Sequence, residues 1–81
     1  MFYFDVRERG QLVADEEGQL LSSLDAAAQE AAKAAAAIAR DVLPRSQGGE
    51  VVVEVRNEAR EHVLTVSVEM NVARIRAECA S

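Results

Sequence analysis

Between Ser23 and Leu43 almost every second residue is alanine, and the run stops at the only proline of the chain, Pro44. A stretch this rich in the best helix former becomes helix more readily than anything else, so the remaining residues must be arranged around it. Leu24, Ala28, Ala31, Ala35, Ile38 and Val42 recur at alternating spacings of four and three, which predicts one apolar face. Asp25, Gln29, Lys33 and Arg40 fall opposite. Ser22 and Ser23 are both candidate N-caps, and Ser22 with Asp25 has capping-box spacing with Asp in place of Glu. Asp25 also suits the positive end of the helix dipole. Pro44 lacks an N–H and biases Leu43 away from helical angles, so the helix is expected to end there. An alanine face lets a backbone approach its partner closely. Packing on a sheet is the expected use; a helix–helix dimer seam is disfavoured because alanine offers little area to bury.

The 81 residues allow one domain, 1–81. A chain of this size buries only about 60–65% of its unfolded surface, and a stability of roughly 4–12 kcal/mol is expected for the length. Hydrophobic content of 49% excludes disorder for its body. The net charge of −5 argues against nucleic acid, whose phosphates need a basic surface, and against anionic membranes. No stretch reaches the ~20 apolar residues of a membrane span. The opening residues, Met1 to Arg7, have no apolar run of signal-peptide length. Cys79 is the only cysteine and cannot form an internal disulfide. A cytoplasmic setting is expected, with Cys79 a thiol in a frayed tail.

The segments flanking the helix have a period of two. Phe2, Phe4 and Val6 alternate with Tyr3, Asp5 and Arg7, and the first set is expected to face the core. Arg7-Glu8-Arg9-Gly10 reads as a turn and Gln11 to Ala14 as a short return, together a hairpin. Asp15-Glu16-Glu17-Gly18 follows. Adjacent carboxylates suggest a hard cation, but calcium loops space their ligands along a longer segment. A solvated turn closed by Gly18 in a left-handed conformation is expected instead. Leu20 and Leu21 then lead the chain under the sheet.

Beyond Pro44, Arg45-Ser46-Gln47-Gly48-Gly49 reads as a flexible loop, too short and isolated in its glycines to be a phosphate loop. Val51, Val53 and Val55 alternate with Glu50, Val52, Glu54 and Arg56; Asn57 to Glu61 forms a turn; Leu64, Val66, Val68 and Met70 alternate with Val63, Thr65, Ser67 and Glu69. In the tail, 71–81, Val72 and Ile75 suit either an extension of the last strand or a turn of helix against the core.

Phe2-Tyr3-Phe4-Asp5-Val6-Arg7, the Asp15-Glu16-Glu17-Gly18 turn, and Leu24-Asp25-Ala26-Ala27 with Glu30-Ala31 resemble a family of small bacterial proteins of unknown function. The resemblance extends to the late Leu64-Thr65-Val66 strand and covers nearly the whole chain. It implies the fold and brings no catalytic residues with it. The hairpin, acidic turn and Ala-Glu-rich helix also resemble the antitoxin half of HicAB toxin–antitoxin modules. That likeness implies binding of a small toxin protein, although those domains usually carry a DNA-binding segment, for which little room is expected here.

Catalysis is not expected. His62 is the only histidine and borders a turn, so neither a triad nor a zinc site can be built from the usual parts. Ser22 and Ser23 have no evident base. No cofactor or metal ligand set is expected.

These readings predict an α+β fold: a single β-β-α-β-β domain with a four-stranded antiparallel sheet and one helix on one face. Phe2, Phe4, Val6, Leu24, Ile38, Val53, Val55, Leu64 and Val66 are its expected core. A right-handed crossover helix that skips the first strand gives the order second, first, third, fourth. The second strand is short and runs into Asp15-Glu16-Glu17. The fourth is long, and Val63 to Val68 holds no charge and no proline, which leaves an edge needing cover. A homodimer through that edge is expected, with Val63, Thr65, Ser67 and Val52 as its interface. The rival is a tail, Asn71 to Ala77, folded back on the edge. The function expected is a small interaction or structural module.

Overall fold

The structure is a computed structural model and describes residues 1–75. Its elements are β1 (Tyr3–Glu8), β2 (Gln11–Val13), α1 (Leu24–Ser46), β3 (Gly48–Arg56) and β4 (His62–Asn71). The strands form one antiparallel sheet in the order β2-β1-β3-β4, as the topology argument requires. The alternation of each strand decides its faces. Val51, Val53 and Val55 are fully buried beneath α1. Phe2, Phe4 and Val6 pack on the same core, as do Leu64, Val66 and Val68.

The turn joining β1 to β2 is Arg9-Gly10 alone, with φ of 51° and 74°. Two consecutive left-handed residues make the type I′ geometry that follows strand twist. β1 therefore runs one residue further than its charged end suggests, to Glu8, and β2 stops at Val13.

The helix differs from its sequence-based outline in two ways. First, its buried residues are Ala27, Ala31, Ala35, Ala39 and Leu43. Leu24, expected in the core, is 46% exposed, and Ala28, Ile38 and Val42 are half-buried. A stripe at every fourth residue drifts by about 40° per step around a 3.6-residue helix, and it tracks the twisted row of Val51, Val53 and Val55. With alanine on almost every side of α1, apolar contrast could not choose between neighbouring stripes. Second, α1 continues past Pro44 to Ser46. The carbonyl that Pro44 leaves without a helical partner belongs to Arg40, which is exposed and can be hydrated. Leu43 anchors this last turn in a second cluster with Ala39 and Val51. The Ser46 hydroxyl bonds the Leu43 carbonyl at 3.2 Å, and Gln47 at φ 58° donates back to Leu43 and Pro44 as the C-cap. The expected loop 45–49 thus reduces to Gln47, with Gly48 and Gly49 already in β3. At the other end Ser23, not Ser22, is the N-cap, its hydroxyl accepting from the Ala26 amide at 3.1 Å.

Other corrections concern the segments off the sheet. Leu20 is 81% exposed; only Leu21 reaches the core. Val72 and Ile75 are exposed and belong to neither strand nor helix. Residues 72–75 do not pair with β4. Cys79 and the remainder of the expected fold-back segment lie outside the described residues.

Candidate functional site

Two regions of the helix-free face carry chemistry. The first is the outer edge of the sheet. β4 has β3 on one side and no strand on the other among the described residues. Val63, Thr65 and Ser67 are exposed on the helix-free face of β4, and half-buried Val52 lies directly opposite Ser67 on β3. The four expected interface residues therefore share one face. Val63 is set apart by an irregularity the sequence does not announce: Val55 pairs with Leu64 and Arg56 with His62, so the ladder skips Val63. Such a bulge twists and blunts the start of an edge strand. The unbroken part of the edge runs from Leu64 to Asn71. On the other face of β4, Leu64, Val66, Val68 and Met70 are only half-buried, because α1 rests more fully over β3.

The second region is a cleft of about 540 Å³ at the end of the sheet where β1 begins, bounded by Tyr3, Asp5, Asp15, Glu16, Arg56 and Glu58. Periodicity assigned Asp5 to the outer face, yet it is 6% exposed, the most buried residue of β1. Arg56 makes a two-pronged contact with it, Nε to Oδ2 at 2.6 Å and Nη2 to Oδ1 at 3.1 Å. The guanidinium also lies over the Tyr3 ring, 5.2 Å from its centre. The Arg56 hydrogen bonds hold the Asp5 carboxyl below its ordinary range against the effect of burial, and the Asp15 amide assists.

Asp15 ties the acidic turn to this pair. Its amide donates to Asp5 Oδ1 at 2.9 Å. Its carboxylate accepts from Phe4 N on one oxygen and from Glu17 N and Gly18 N on the other, each at 3.1 Å. Burial works to raise the Asp15 pKa, but these three amides outweigh it and hold the carboxyl low. Gly18 has the expected left-handed conformation, φ 75°. The turn is not freely solvated, however: Asp15 is a bracket, and the chain beyond it pairs back to Phe2 through two 2.8 Å bonds with Gln19. The signal for this bracket was the Asp15-x-x-Gly18 spacing of an Asx turn. Nothing local could signal Arg56, which lies 51 residues from Asp5.

Asp5, Asp15 and Arg56 in the cleft thus satisfy one another. Every fully buried side-chain nitrogen and oxygen among the described residues has a hydrogen-bond partner. No three His, Cys, Asp or Glu residues among them gather as a metal would require. His62 spends its ring Nε2 on the Leu64 carbonyl and the Thr65 hydroxyl, 3.0 and 2.6 Å away. None of the described helices is long and apolar enough to cross a membrane.

The family model described as Domain of unknown function (DUF6894) matches residues 1–69, spanning all four strands but the last two residues of β4. The chain belongs to this family. The DUF6894 match covers the aromatic strand, the acidic turn and the helix start on which the first resemblance rested; it does not show the HicB likeness. No curated protein and no solved structure gives a match. What distinguishes this DUF6894 domain is therefore its own surfaces: the β4 edge and the Asp5–Arg56 cleft.

Proposed function

We propose that this DUF6894 domain is a non-catalytic interaction module that self-associates as a homodimer through the open edge of β4. The carrying observation is that edge. Among the described residues β4 is the longest strand at ten residues and lies outermost, and it has no charge from Val63 to Val68. The opposite edge strand, β2, has three residues and leads into the acidic turn. A long uncharged edge acts as a template for another strand, and an identical copy supplies one under a two-fold axis. A non-catalytic role is supported by the spent hydrogen bonds of His62 and by the internal pairing of Asp5, Arg56 and Asp15. The acidic balance disfavours nucleic acid as a partner, and the single cysteine of the sequence favours a reducing, cytoplasmic setting.

Size exclusion coupled to light scattering tests the reading. At a protein concentration of order 100 µM, where even a weak dimer of micromolar dissociation constant is populated, the expected mass is twice the 8.8 kDa of one chain. Thr65→Pro, or the milder Ser67→Lys, should return the mass to one chain while circular dichroism stays native. A single-chain mass for the unaltered protein refutes the proposal.

A further inference from the structure

We infer that the two copies pair about Ser67, in one register only, with both α1 helices on the same face of an eight-stranded sheet. This rests on the self-association proposed above and specifies its geometry. Two antiparallel edge strands related by a two-fold axis require that axis to stand normal to the sheet, which keeps each copy's helix on the shared side. Paired residues must point to the same face, so the axis must pass through a residue and cannot fall between two.

Four features of β4 then select the residue. An axis at Glu69 opposes two carboxylates directly, and like charges in that position repel; one at Thr65 leaves an unbroken match only from Leu64 to Val66. An axis at Val66 forces the skipped residue Val63 and its neighbour His62 into the new ladder, leaving an unbroken match only from Leu64 to Val68. An axis at Val68 pairs Thr65 to Asn71 but sets Leu64 against Val72, which has left the strand, and so leaves one of the half-buried apolar residues without a partner. An axis at Ser67 pairs Leu64 to Met70 without a break and leaves only Asn71 of the regular edge over. On the helix side it sets Leu64 against Met70 and Val66 against Val68 of the second copy. These are the four apolar residues that α1 leaves half-buried, and they fill the trough between the two helices. On the other side Thr65 meets Glu69, hydroxyl to carboxylate, and Ser67 meets itself.

Cysteine pairing reads the register. In a Cys79→Ser background, Ser67→Cys should oxidise to an intermolecular disulfide, or join through a short bis-maleimide where the thiol rotamers are unsuited. Thr65→Cys alone should react roughly tenfold slower or not at all, since in this register its two copies lie about 14 Å apart along the strands, beyond disulfide reach. A mixture of Thr65→Cys and Glu69→Cys chains should join preferentially to each other. Preferential joining of Thr65→Cys to Ser67→Cys moves the axis to Val66, and of Ser67→Cys to Glu69→Cys moves it to Val68; either overturns the register. A dimer by light scattering in which Ser67→Cys does not join overturns it too, while leaving self-association standing. A monomer removes both.

Discussion

Ala35 lies at the middle of the buried stripe of α1 with no exposed surface, against Val53 and Val55, which also have none. Ala35→Leu adds three carbons where helix and sheet are already in contact. With Ala35, Val53 and Val55 all without exposed surface, the added carbons have no route to solvent, so the side chain must leave its preferred rotamer or lift the helix. Forced overpacking of this kind costs about 1–3 kcal/mol. Leucine and alanine differ little in helix propensity, so the cost reports packing alone. For a domain of this length each kcal/mol lowers Tm by roughly 4–8 °C, which predicts a fall of about 4–24 °C. Ala36→Leu is the control: its site is exposed, and surface changes of this kind stay within about 0.5 kcal/mol. Melting by circular dichroism at one fixed protein concentration compares the two, because self-association makes Tm concentration-dependent. Equal melting temperatures for Ala35→Leu, Ala36→Leu and the unaltered chain would refute the packing described for α1.

Two further outcomes follow from the bracket around the acidic turn. A Cβ at Gly18 would lie 2.9 Å from Tyr3 Cε1 and 3.0 Å from the Phe2 carbonyl, at a φ of 75° that side chains resist, so Gly18→Ala should destabilise by about 1–3 kcal/mol; an unchanged urea midpoint would contradict the geometry. Asp5 and Asp15 both have lowered pKa values in the fold, so the unfolded chain binds more protons near their ordinary value of 3.8. Their stabilising contribution is complete above that value and is lost as the pH falls through the lower folded values. Melting temperature should be level from about pH 7 to 5 and fall below about pH 4, with a smaller fall in Asp5→Asn; equal acid sensitivity in that variant would show that Asp5 is not a source of it.

What the sequence determined by itself was the set of elements and their order. The alternation of Val51, Val53 and Val55 and of Leu64, Val66 and Val68 settles which side of each strand is apolar, because successive side chains point to opposite faces. Element order and short connections then leave β2-β1-β3-β4 as the arrangement, and with it β4 as the outer strand. The sequence could not choose the buried stripe of α1: where Ala27 and Ala28 are chemically equal, only the twist of the sheet beneath distinguishes them. Nor could it carry the helix past Pro44, since the burial of Leu43 against Val51 and Ala39 outweighs a local preference to stop. The bulge at Val63 and the pairing of Asp5 with Arg56 are likewise tertiary. Each joins residues that meet only when separate strands settle into register, and a period read along one segment has no access to its neighbour across the sheet.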